Sequence, residues 1–238
     1  MTTDTLTRPD VRRFASLGHA DHGWLDARHH FSFASYYDPA RMGWGAIRVW
    51  NDDAIAAGSG FPPHPHRDME IITYVRSGAI SHEDSMGNRG RTAAGDVQVM
   101  SAGSGVRHAE FNAEAGITTL FQIWIEPTTK GGQPSWGAKP FPKGERADEW
   151  AVLASGFADD ADALPIRAEA RVMAATLNAG GTLTHTVGEG RHAYLVPATG
   201  RLRVNGQVAE TRDGVALTGG EYVIEALEDA EIVLVDAT

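Results

Sequence analysis

Three observations predict an all-β protein built as two small barrels. Residues 43–127 are filled by short segments of alternating apolar and polar residues, closed by Gly, Asn-Asp or Pro, with no amphipathic helical period. Residues 128–145, with three prolines and four glycines, have the composition of a connection between domains. Beyond them strand patterns resume, and a faint repeat lays 96–103 (DVQVMSAG) on 213–220 (DGVALTGG), and Tyr74-Val75 on Tyr194-Leu195. The expected units are 1–130, a linker at 131–147, and 148–238.

In chain order, a short strand is expected at 11–14. The alternation of Phe31 and Phe33 with polar residues predicts a half-buried strand there. His29 and His30 face opposite sides of any strand, so at most one can approach a site, and core or surface positions are expected for both. Residues 43–50 predict a strand stopped by Asn51-Asp52-Asp53, and Gly58-Ser59-Gly60 a turn. Residues 69–75 carry high β-propensity and end at Ser77-Gly78. Residues 79–84 lead into the hairpin signal Met86-Gly87-Asn88-Arg89-Gly90. Residues 97–100 alternate after the turn at Gly95-Asp96, and 118–126 form a strand closed by Pro127. Residues 148–154 fit a short helix or a strand. Strands then follow at 173–177, 182–187, 193–196, 201–204, 222–226 and 231–235, with Asn205-Gly206 as a type I′ hairpin turn.

Composition narrows the function. A chain of 238 residues can bury a substantial core, and its 42% hydrophobic and 22% charged content is that of a soluble globular protein. The absence of cysteine excludes disulfides, thiolate nucleophiles and zinc fingers. A net charge of −10 argues against direct nucleic-acid binding, which needs clustered Lys and Arg. No signal-like run opens the sequence and no stretch of eighteen apolar residues occurs, so no membrane association and a cytoplasmic location are expected.

Two spaced pairs stand out: His64-Pro65-His66 and His108-Ala109-Glu110. Alternate residues of a strand share a face, so each pair presents two metal-binding groups to one side. Pro65 cannot donate to a ladder and suits a strand edge or end. If the two strands pair or face one another, three imidazoles and a carboxylate converge. That donor set suits one divalent first-row transition metal with one or two positions open. In the repeat His64 falls near His185, His66 meets Val187 or a neighbour, and His108 and Glu110 meet Glu225 and Leu227, so the second barrel reads as a copy that has lost its metal ligands.

The stretches GFPPHPHRDMEIITYV, SHEDSMGN, GDVQVMSAGSGVRHAEFN and QPSWGAKPF, with HHFSFASYYDP before them, resemble the pirin family of bicupins over about residues 20–145. His64, His66, Glu70 and Gly78 correspond to the first cupin motif. Gly95, Gly103, His108 and Asn112 correspond to the second, with Ser101 in place of the usual proline. The resemblance implies two stacked cupin (jelly-roll, double-stranded β-helix) barrels and one metal in the first. Fe(II) is the expected ion, with Ni, Co, Mn, Cu or Zn as alternatives. Pirins take their carboxylate ligand two residues after the last histidine, here Glu110, whereas other cupins use the position of Glu70. Strand geometry also favours Glu110, roughly 7 Å from His108 on the same face, over Glu70, roughly 13 Å from His66.

The function implied is a dioxygenase of the quercetin 2,3-dioxygenase type. The 3-hydroxyl of a flavonol binds the metal, Glu110 takes its proton, and the ring opens with O2 and release of CO. Phe33, Met42, Phe111 and Trp124 are candidate walls for the flat substrate. A second reading is a metal- or redox-sensing protein whose partner is a transcription regulator or a metabolic enzyme. A third is a cupin hydrolase or isomerase acting on another small molecule.

Overall fold

The computed structural model describes residues 8–238, so the first seven residues of the unit expected at 1–130 lie outside the described residues. The first strands are β1 (Asp10–Arg12), β2 (Gly18–Asp21), β3 (Leu25–His29), β4 (Ile47–Ile55), β5 (Ser59–His66) and β6 (Glu70–Ser77). Next come β7 (Ala79–Asp84), β8 (Arg89–Ala93), β9 (Val97–Ser101), β10 (Val106–Asn112), β11 (Thr118–Ile125) and β12 (Ser135–Lys139). The second half holds β13 (Ala151–Ser155), β14 (Leu164–Pro165), β15 (Ala170–Leu177), β16 (Thr182–Thr199), β17 (Leu202–Val204), β18 (Gln207–Ala209), β19 (Gly214–Ala226) and β20 (Ala230–Ala237). Among the described residues the helical content is confined to two short 3-10 turns, and no helix is long and apolar enough to cross a membrane.

The first half forms a seven-stranded sheet, ordered β12-β9-β6-β11-β4-β3-β2, and a four-stranded sheet, ordered β5-β10-β7-β8. The second half supplies eight strands of a nine-stranded sheet, whose ninth is β1, attached beside β19. Its long strands β16 and β19 pair on both sides of a register break between Val187 and His192, so they serve two stretches of the sheet.

Period-two alternation gives the central strands of the seven-stranded sheet two different jobs. Trp50, Ile72, Tyr74, Phe121 and Ile123 share one face and pack on Val172, Tyr194, Val196, Val233 and Val235 of the nine-stranded sheet, forming a core common to both halves. Asn51, Thr73 and Gln122 lie on the opposite face, toward the four-stranded sheet. The common core also buries charge. Asp52 accepts hydrogen bonds from Arg76 and Arg212. Arg146 donates to Tyr74 at 2.7 Å and to Glu231 at 2.9 Å, and Tyr74 donates to Glu231.

Several segments depart from expectation. Residues 31–33 are not a strand. Ser32 Oγ holds the backbone N–H of Asp38 at 2.8 Å, Arg48 reaches the Ser32 carbonyl, and Ala34 adopts φ 50°, which together fix an irregular loop. Asn51-Asp52-Asp53 do not stop β4, which continues to Ile55 with all three buried. Within 128–145, β12 pairs with β9, so part of that segment belongs to the first half's sheet. The ambiguous segment at 148–154 resolves into strand β13. The Asn205-Gly206 turn joins β17 to β18 with φ of 42° and 83°, as a type I′ turn requires.

Candidate metal centre

β5 lies at the edge of the four-stranded sheet, which accommodates Pro62, Pro63 and Pro65. Its only neighbour there is β10, paired so that His64 lies opposite His108 and Val106 opposite His66. A register break between His108 and Glu110 sets Glu110 opposite Phe61. On the other side of β10, His108 faces Asp84 and Glu110 faces His82. The ladder therefore assembles two overlapping groups of donors, His64-His66-His108 and His82-His108-Glu110, each with its ligand atoms within 4.8 Å of one another.

Hydrogen bonds define the tautomers. The Pro62 carbonyl accepts from His64 Nδ1 at 2.8 Å, so in its neutral form His64 leaves Nε2 bare. Asp84 accepts from His82 Nε2 at 3.2 Å, so His82 Nδ1 is the acceptor for the Nδ1–H of His108 at 3.4 Å. That leaves His108 Nε2 bare as well, 3.1 Å from His64 Nε2. Two lone pairs facing at this distance repel unless a cation lies between them. Two ligands at right angles, each about 2.1 Å from one ion, are separated by about 3 Å. The donors thus fit a divalent transition metal. Burial, then the neighbouring imidazole His64, lowers His66 to a pKa of about 4. Burial and then the imidazoles His64, His66 and His82 lower His108 to about 2. Both are neutral at pH 7, as metal ligation requires.

Glu110 is 2% exposed, and burial pushes its pKa up to about 7 against the opposing hydrogen bonds. Those bonds come from a row of polar side chains that the sequence does not advertise. His29, Asn51, Gln122, Thr73 and Gln98 stand directly opposite one another on five adjacent strands, β3, β4, β11, β6 and β9. Gln98 Nε2 donates to Glu110 Oε1 and Gln122 Nε2 to Oε2, both at 2.7 Å, with Thr73 Oγ1 3.2 Å from Oε1. His29 closes the row against Asn51 at 2.8 Å. Glu70 sits elsewhere, accepting from Ser101 Oγ at 2.5 Å, and belongs to neither donor group.

His64, His66, His108 and Glu110, with His29, Asn51 and Gln122, line a cavity of about 580 Å3. Trp24, Leu25, Phe33, Phe61 and Trp124 give it an apolar wall, and the Trp124 ring stands edge-on to His66 with centroids 4.9 Å apart. Of the aromatic and apolar residues expected as walls, Phe33 and Trp124 line the cavity. Met42 and Phe111 are each 44% exposed and lie outside it. His29, expected in the core or at the surface, reaches the cavity; His30 is fully buried against Tyr194. His82 and Asp84, which sequence reading passed over, carry the same two-residue spacing as the histidine pair, the one signal that marked them. In the second half His185 bonds Asp236 at 2.8 Å, and no group of three metal-binding side chains occurs there among the described residues.

A family model described as Pirin matches residues 10–125, and one described as the quercetinase C-terminal cupin domain matches 152–237. A pirin-like protein of Caulobacter vibrioides is 65% identical over 229 residues, 96% of this chain and 99% of its own length. A quercetin 2,3-dioxygenase of Escherichia coli is 40% identical over 228 residues, 95% of this chain and 97% of its own length. The crystal structure of the bacterial pirin YhhW of Escherichia coli in complex with nickel(II) superposes with a TM-score of 0.91 at 38% identity, covering 97% of this chain and 99% of that one.

Proposed function

The chain belongs to the pirin family, with a cupin barrel in each half, and from that premise we propose that it is a metal-dependent dioxygenase opening flavonols of the quercetin type. The observation that carries this reading is that His64, His66, His108 and Glu110 all line one largely apolar cavity of about 580 Å3, in donor groups that share His108. That volume lies within the range of sites for drug-sized ligands. The relatives named quercetin 2,3-dioxygenase support the activity, and the nickel complex of the bacterial pirin supports the ion class.

The proposed ligands are His64, His66, His108 and Glu110. A divalent metal held by them would supply Lewis acidity that lowers the pKa of a substrate hydroxyl ahead of reaction of the ring with O2. Trp124, Phe33 and Phe61 bind and orient the flat aromatic body and keep water from it. Glu110 is the proposed acceptor of the hydroxyl proton. Gln98 and Gln122 keep its carboxylate aimed. His82 fixes the His108 ring, and Asp84 fixes His82 in turn.

Protein loaded in turn with iron, manganese, cobalt, nickel or copper is expected to consume quercetin in air with loss of flavonol absorbance and release of CO. Stoichiometric metal binding without turnover on any ion would instead support the reading as a metal-sensing interaction protein. His82→Ala is expected to lower nickel(II) affinity by about 10–100-fold in calorimetry, the usual cost of losing an outer hydrogen bond to a ligand. Unchanged affinity removes His82 from the metal's surroundings.

A further inference from the structure

Of the two acids that line the cavity, Glu110 and Asp53, only Glu110 has hydrogen-bond partners among the described residues. Asp53 shares the inward face of β4 with Asn51, one rung away, roughly 7 Å along the strand. Asp52 between them points to the common core, where Arg76 and Arg212 hold it. Across the sheet Asp53 stands opposite Ala27 on β3 and Leu120 on β11, so its own rung is apolar. It is 2% exposed and lines the cavity, and its Oδ1 is buried with no hydrogen-bond partner. Buried polar atoms without partners are rare in folded proteins and cost stability. The neighbouring polar groups are already engaged, Asn51 with His29 and Gln122 with Glu110.

We propose that Asp53 is a specificity-determining residue that recognises, through a hydrogen bond, a phenolic hydroxyl of the substrate remote from the hydroxyl directed at His64, His66 and His108. This rests on the flavonol reading and narrows it to polyhydroxylated ring systems. Burial, then the charges of Asp52 and Glu110, push the Asp53 carboxyl well above the usual carboxylate range. In either protonation state the carboxyl can pair with a phenol O–H, the carboxylate by accepting and the neutral acid by accepting or donating. An unpaired acid on the wall discriminates ligands by remaining unpaired when the hydroxyl is missing.

The test compares two probes on metal-loaded protein without oxygen, by quenching of tryptophan fluorescence: quercetin, and 3-hydroxyflavone, which keeps only the metal-directed hydroxyl. The wild type is expected to favour quercetin by about ten-fold or more, one good hydrogen bond. Asp53→Leu is expected to erase that preference while leaving 3-hydroxyflavone affinity within about two-fold. Asp53→Asn, which still donates and accepts, is expected to keep most of the preference. An unchanged quercetin preference in Asp53→Leu overturns the role of Asp53 alone, as does an equal loss for both probes. Should neither flavonol bind the wild type, the flavonol reading and this assignment fall together.

Discussion

His108→Ala is expected to leave the protein unable to retain a transition metal through gel filtration, with quercetin turnover lost in step. No other side chain belongs to both donor groups. His108 is 3% exposed, its Nε2 faces His64 Nε2 at 3.1 Å, and its Nδ1 is tied to His82. Alanine there removes a proposed ligand and also strands the His82-Asp84 pair. The affinity loss should exceed the about 100-fold that outer hydrogen bonds alone account for. Elemental analysis of the variant after metal loading provides the check, with circular dichroism confirming the fold. Stoichiometric metal in folded His108→Ala would remove His108 from the coordination sphere and with it the proposed site.

The second large effect is on stability. Asp52→Ala should destabilise the protein by about 3–5 kcal/mol, because it leaves guanidinium groups unpaired at a buried interface. Asp52 is fully buried and accepts from Arg76 and Arg212, one from each half of the chain. Arg76 is itself mostly buried, its Nε has no partner, and burial already lowers its pKa. For a chain of this length the loss corresponds to a fall in Tm on the order of 10 °C. Calorimetry on the metal-free protein isolates this effect from any contribution of the ion. A shift of only a degree or two means that the interface holds through its apolar core and that the ion pairs contribute little net.

The parts of the site legible in the sequence are those whose partners are two residues away. His64 with His66, and His108 with Glu110, follow from strand period alone. The pirin resemblance supplied the pairing of the halves that the family matches support. What escaped notice depends on register between distant strands. Nothing local to Thr73, Gln98 or Gln122 says that they will stand side by side beneath Glu110. Asn51-Asp52-Asp53 read as a stop because three consecutive polar residues usually end a strand. Here each found a separate reason to be buried: His29 for Asn51, two arginines for Asp52, and the cavity for Asp53. The Phe31–Phe33 alternation misled for the opposite reason, since hydroxyl and guanidinium bonds to the backbone outcompeted a ladder.

The prolines of β5 carry a consequence for self-association. An outermost strand offers unpaired amide groups on which a neighbouring molecule can template a further strand. Pro62, Pro63 and Pro65 have no amide hydrogen, and because successive residues point their amides to opposite sides of a strand, at least one of the three removes a donor from the free edge along the stretch that carries His64 and His66. Intermolecular β-augmentation is disfavoured along this segment, through residues given no part in the proposed chemistry.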